Sequence, residues 1–263
     1  MIPAADPEWS YAFSRNWLFS LAATGPTLVA MEHCCRVVEL RQYTLHPGAR
    51  DTLVQLFDAH FVEGQERCGM RVIGQFRDLD DPDRFVWLRG FADMEARTRA
   101  LEAFYGGPVW KEHAPAANAT MVDHTNVLLL KPVPGTAGFR IDPRLRPGPE
   151  SPDVAGGVVV VTIDHLSGPP TPDVRVGPGD EREAAVMARL VTEPALNPFA
   201  RLPVRADANV LVTVFSYATA DAYHPSPITG PGVHRREHLR LQPTRRSYLR
   251  HALPPLPSGE RAG

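Results

Sequence analysis

Residues 70–110 read MRVIGQFRDLDDPDRFVWLRGFADMEARTRALEAFYGGPVW. Two apolar-rich runs flank a turn of Asp80, Asp81, Pro82 and Asp83, and a segment of helical period follows at once. This is the pattern of a β-hairpin feeding a helix. In the second run Phe85, Trp87 and Phe91 fall on one face and Val86 and Leu88 on the other, so neither face suits water. Helices of a small α+β unit cover one face only. The other must meet a second sheet or a partner subunit.

Upstream, RVVELRQYTL (36–45) predicts a strand with Val38 and Leu40 on one face and Glu39, Arg41 and Tyr43 on the other. After His46-Pro47-Gly48, Leu53, Leu56, Phe57, His60 and Phe61 mark an amphipathic helix. His60 is expected to be a hydrogen-bonded core residue on that stripe. Downstream of the hairpin, Asp93 suits the N-cap of a second helix whose inner stripe is Arg97, Ala100, Leu101 and Phe104. Gly106-Gly107-Pro108 ends it. Val109 to Met121 then carries Trp110 and His113, and Asn126 to Leu130 is a buried strand closed by Lys131-Pro132. The order strand, helix, strand, strand, helix, strand is the ferredoxin-like split βαβ arrangement.

Residues 133–153 are crowded with Pro and Gly and predict an exposed linker. Beyond it, Val158 to His165 restarts the strand pattern, and NVLVTVFSYATADA (209–222) aligns without gaps on DRFVWLRGFADMEA (83–96). The second half therefore reads as a degenerate copy of the first. Its other expected elements are a strand over Arg201 to Asp207, a final strand over Arg246 to Leu249 and a short helix over Asp180 to Leu190; Pro225 and Pro227 leave little room for another helix. The domain reading is an N-terminal extension (1–35), a first module (36–132), the linker, a second, divergent module (154–253) and a flexible tail (254–263).

With 263 residues the chain can bury one large core or two ordinary ones. A net charge of -2 supplies no basic field, so no nucleic-acid partner is expected. Cys34, Cys35 and Cys68 form no C-x-x-C motif and suggest no disulfide framework, which favours a reducing, cytoplasmic location. Trp17 to Val29 is apolar but too short to span a bilayer. It lacks a basic flank and is broken by Gly25-Pro26, so it reads as a loosely packed extension, or Met31 is the true start.

VVELRQYTLHPG, the RVIGQF strand, FVWLRGFADMEARTRA and the VW that follows resemble the NIPSNAP family, a branch of the dimeric α/β barrel superfamily of ferredoxin-like modules. The resemblance covers Arg36 to Pro132 closely. It implies an α+β protein of two tandem ferredoxin-like modules with the sheets facing to close a barrel, either within the chain or across a homodimer. It supplies no agreed reaction and no catalytic motif. Relatives of the barrel include cofactor-free oxygenases, isomerase-like enzymes and haem proteins.

The strongest constellation is Glu39, Arg41 and Tyr43 on one strand face, with Trp87, Arg89, Trp110 and His113 near in the topology. An Arg can fix a carboxylate or enolate, a Tyr or His can move a proton, and tryptophans can wall an apolar pocket. Arg41, Tyr43 and His113 are the candidate catalytic residues, and Glu39, Trp87, Arg89 and Trp110 the candidate ligand-binding ones. The bland alternative pairs Glu39 with Arg41 and leaves the aromatics as core. His234-Arg-Arg-Glu237-His238 has the H-x-x-E-H spacing of a zinc protease, but the prolines around it deny it a helix, and no metal is expected. No cofactor is predicted; haem on His113 or His124 rests on family analogy without a motif. The expected function is a small-molecule-binding or assembly protein that self-associates and takes a small apolar ligand. The alternative is a cofactor-independent oxygenase or isomerase acting on a small aromatic or acyl substrate.

Overall fold

The computed structural model describes residues 34–136, 138–153, 157–170, 184–225, 227–228, 230 and 232–250. Expectations for the first 33 residues and for the tail from 251 lie outside these. The first half runs β1 (Val37–Leu45), α1 (Arg50–Leu56), a π turn (Phe57–Phe61), α2 (Val62–Glu66), β2 (Arg71–Asp78), β3 (Arg84–Phe91), α3 (Met94–Gly106), α4 (Pro108–Asn118) and β4 (Met121–Pro132). The second supplies β5 (Val158–Leu166), β6 (Ala185–Thr192), β7 (Val210–Tyr217) and β8 (Val233–Pro243). All eight strands close into one barrel in the order β1-β3-β2-β8-β5-β7-β6-β4. The facing of sheets expected within the chain or across a homodimer is made within the chain.

The second four strands repeat the pairing of the first. β1 pairs with β3 and β4, and β5 with β7 and β8. A β-bulge interrupts β2 between Val72 and Gly74 and β6 between Val186 and Ala188, at equivalent places. The two seams also match: Phe76 pairs with Pro243 where β2 meets β8, and Leu190 with Pro132 where β4 meets β6. A proline is tolerated there because each seam lies at the end of a strand.

The two apolar faces of β3 now have separate partners. Val86 and Leu88 join Val38, Leu40, Ile73, Phe76, Leu128 and Leu130 with Val159, Val161, Val212, Leu239 and Leu241 in the barrel interior. Phe85, Trp87 and Phe91 pack outward under the helices with Leu53, Phe57, Phe61, Leu101 and Phe104. Asp93 caps α3 by accepting from the Ala96 amide at 2.7 Å. Gly90 admits no side chain: a Cβ there would lie 2.2 Å from Cys35 Sγ.

Several expectations are corrected. The short helix over Asp180 to Leu190 fails because Ala185–Thr192 is β6; good helix formers give way to pairing with β4 and β7. Arg201 to Asp207 is loop, and Arg246 to Leu249 is no strand, since the final strand is Val233–Pro243. Arg236, His238 and Arg240 alternate there with the interior Leu239 and Leu241, and the charge masked the strand. The H-x-x-E-H residues therefore lie on a strand, not a helix. The segment 133–153 is not exposed throughout: Phe139 and Ile141 are buried in the barrel core, and Arg146 donates to the Arg246 carbonyl at 3.0 Å. Cys34 and Cys35, expected to form no disulfide, are joined to each other. Among the described residues no helix is long and apolar enough to cross a membrane.

His60 is exposed, not a core residue. The π turn adds backbone between successive buried positions, so Leu53, Phe57 and Phe61 stay inside while Asp58 turns in and His60 turns out. Asp58 is 3% exposed, and its Oδ2 is 3.7 Å from Arg245 Nε. Burial pushes its carboxyl up to about 6, with Arg245, Arg246 and Arg77 offsetting part of the rise. A raised acid favours the folded state while protonated, so this contribution is present below the unfolded value of about 3.9 and is lost as pH rises through about 6. Asp58→Asn should therefore stabilise the protein at pH 8 by up to about 3 kcal/mol and by much less at pH 4. Urea midpoints at the two pH values check this; an equal change at both would refute it.

Candidate functional site

Period two on β1 sends Glu39, Arg41 and Tyr43 out of the barrel and under the helices. The β1–β3 register sets Glu39 opposite Arg89 and Arg41 opposite Trp87. Because α3 starts two residues after β3, Arg97 in its first turns arrives over the same spot. Glu39 Oε2 accepts from Arg41 Nη1 at 2.7 Å and from Arg89 Nε at 2.8 Å, and Oε1 accepts from Arg97 Nε at 2.7 Å. All four side chains are 0% exposed. Three guanidinium groups thus surround one carboxylate, the only carboxylate bonded to them among the described residues, and the cluster carries a formal net charge of two positives.

Neutral groups complete the shell. Tyr43 Oη accepts from Arg41 Nε at 2.9 Å, Gln65 Oε1 from Arg89 Nη1 at 3.0 Å, and Asn197 Oδ1 from Arg97 Nη1 at 2.9 Å. Arg41 lies 5.5 Å, and Arg89 5.0 Å, from the Trp87 ring centre, a cation–π arrangement. Arg41 Nη2 and Arg89 Nη2 remain buried without a hydrogen-bond partner among the described residues. Burial alone would raise the Glu39 carboxyl, but the charges of Arg89, Arg41 and Arg97 outweigh it and hold it far below the usual carboxylate range. Burial would likewise lower Arg41, yet Tyr43 and Glu39 leave it raised, so the cation is fixed. Burial raises the Tyr43 phenol, which stays neutral.

The repeat shows that the barrel does not require this cluster. Across the matching registers Glu39 corresponds to Val160, Arg41 to Thr162 and Arg89 to Phe215. The charges belong to the helix-covered half alone.

A cavity of about 360 Å³ adjoins the cluster, lined by Tyr105, Trp110, Met121, His124, Phe199 and Leu202, with Asn118, Val122 and Arg201 completing it. The wall between cavity and cluster is one side chain thick. Tyr105 has its ring 5.9 Å from Arg89 Cζ on one side and 4.8 Å from the Trp110 ring on the other. The His124 ring is 6.2 Å from that of Tyr43. The loop between β6 and β7 brings Phe199 and Arg201 to the cavity and Asn197 to Arg97.

Of the residues singled out in the sequence, Glu39, Arg41, Tyr43, Trp87 and Arg89 meet in the cluster, and Trp110 lines the cavity beside it. His113 stands apart. Its ring stacks on His60 with centres 3.8 Å apart, and among the described residues no hydrogen bond, ion pair or ring contact joins it to Arg41 or Tyr43. The sequence reading passed over Arg97, Gln65, Tyr105, Asn197, Phe199 and Arg201. An arginine on the inner stripe of α3 was a signal for Arg97, since a buried cation needs a partner. Nothing local marked the loop residues.

None of the curated proteins compared matches this chain. Among solved structures, an uncharacterised NIPSNAP-like domain protein from Burkholderia xenovorans is 25% identical, with a TM-score of 0.36, over 41% of this chain and 96% of its own. A NIPSNAP family protein of unknown function from Agrobacterium tumefaciens is 20% identical, with a TM-score of 0.35, over 43% of this chain and 96% of its own. A protein provisionally described as a monooxygenase, from Fusobacterium nucleatum, is 9% identical with a TM-score of 0.47, and the match covers 79% of this chain and 92% of that one. The NIPSNAP family model matches residues 38–136. The chain thus carries a NIPSNAP domain over those residues, and that domain holds Glu39, Arg41, Arg89 and Arg97.

Proposed function

We propose that this protein is a small-molecule-binding barrel whose ligand occupies the cavity beside the arginine cluster. The observation that carries this reading is the cavity itself: about 360 Å³, walled by Tyr105, Trp110, Phe199, Met121 and Leu202, with Asn118, His124 and Arg201 supplying polar atoms. That is the size of a small ligand pocket, in which aromatic walls supply affinity and polar atoms fix orientation. The oxygenase or isomerase alternative needs a proton-moving group beside Arg41 and Tyr43. His113 is not beside them, and the raised Tyr43 phenol is a poor acid; the imidazole beside Tyr43 is that of His124, 6.2 Å away ring to ring. The trio Arg41, Tyr43 and His113 thus does not converge, and binding is the reading adopted.

Native mass spectrometry of the protein purified from its own host tests it. A small-molecule adduct that vanishes on denaturation is expected, and Trp110→Ala should reduce its occupancy at least about fivefold, as loss of an aromatic wall costs 1 kcal/mol or more. A ligand-free spectrum, or an adduct indifferent to Trp110→Ala, would overturn the assignment of this cavity.

A further inference from the structure

The charge around the cavity is one-sided. Arg201 lines it, is exposed, and makes no hydrogen bond or ion pair among the described residues. Among the described residues no Asp or Glu lines it. Behind the Tyr105 wall lie three buried guanidinium groups with, among the described residues, a single carboxylate between them and no hydrogen-bond partner for Arg41 Nη2 or Arg89 Nη2. Buried cations left over after pairing are costly, and a guanidinium offers a carboxylate two parallel donors. The second half of the barrel closes with Val160, Thr162 and Phe215 in the places of Glu39, Arg41 and Arg89, and its outward face holds a different ion pair, Asp164 with Arg236, so closure of the barrel does not require this cluster.

We propose that the ligand of this cavity is an organic acid, with an aromatic or aliphatic body between Tyr105, Trp110 and Phe199 and its carboxylate toward Arg201 in the positive field of the buried arginines. This rests on the cavity being a binding site and adds the chemical class of its occupant. Asn118 and His124 are left to hydrogen-bond a second polar group on the same molecule.

The test compares 2-naphthoate with its neutral isostere 2-naphthamide, and decanoate with decanamide, by calorimetric titration of the full chain at pH 8. At least one acid is expected to bind about tenfold or more tightly than its amide, an advantage that shrinks as salt is raised. Arg201→Gln should weaken the acid at least about fivefold and leave the amide nearly unchanged. Equal affinity of acid and amide, or an equal loss of both in Arg201→Gln, would overturn the organic-acid assignment while leaving the cavity a binding site. Failure of all four probes to bind at millimolar concentration would overturn both.

Discussion

Glu39→Gln is expected to destabilise the protein by about 3–5 kcal/mol, the usual result of removing one side of a buried ion cluster. The carboxylate is 0% exposed and is the shared acceptor of Arg41, Arg89 and Arg97. Without it, three cations stand in the space under α3 with only neutral partners. Urea unfolding reads the effect as a lower midpoint at unchanged slope. The second half of the barrel supplies the control. Replacing Glu39, Arg41 and Arg89 together by Val, Thr and Phe, the residues at the matching positions, and Arg97 by Leu, removes charge and counter-charge at once. That fourfold variant should be closer to the parent than Glu39→Gln alone, because well-packed apolar groups replace a buried ion cluster at little cost. A fourfold variant less stable than Glu39→Gln would mean that the cluster stabilises the fold in its own right. The depressed Glu39 carboxyl fixes the pH window. Its stabilising charge is present above the unfolded value of about 4.3 and is lost only as pH falls through the folded value, far below the usual range.

The second large effect concerns the two halves. A fragment of residues 31–136 should form a dimer, with a mass by light scattering twice that of the single fragment. Cut from its second half, it exposes the edges of β2 and β4 together with an open apolar face of Val38, Leu40, Ile73, Phe76, Leu128 and Leu130. Such an edge and face seek a partner. The seams are interchangeable: Phe76 of one copy can meet Pro132 of the other as it meets Pro243 now, because Pro132 and Pro243 hold equivalent places. A well-folded monomer would show that one sheet buries enough by itself and that the match of the seams has no energetic meaning.

Apolar patterning places β1, β2, β3, the first helical segment and α3, but only the Asn126 to Leu130 part of β4, and it leaves α4 (Pro108–Asn118) undefined as a helix. Phe85, Trp87 and Phe91 against Val86 and Leu88 announced a sheet covered on both sides, and that strand does divide the barrel interior from the helix-covered core. The grouping of Glu39, Arg41, Tyr43, Trp87 and Arg89 followed too, because strand period and hairpin order are written in adjacent residues. What no local pattern carries is the pairing of distant edges. β8 was hidden by its outward charges, β6 by its helix-forming residues, and both become strands because unpaired edges of β2 and β4 wait for them. His60 was misplaced because one π turn shifts the stripe by a residue, and Asn197, Phe199 and Arg201 were invisible because a loop has no period. Residue order determined the elements and faces of the first half of this protein; closure of the barrel decided which edges meet, since that choice belongs to contacts more than 100 residues apart, such as Phe76 with Pro243.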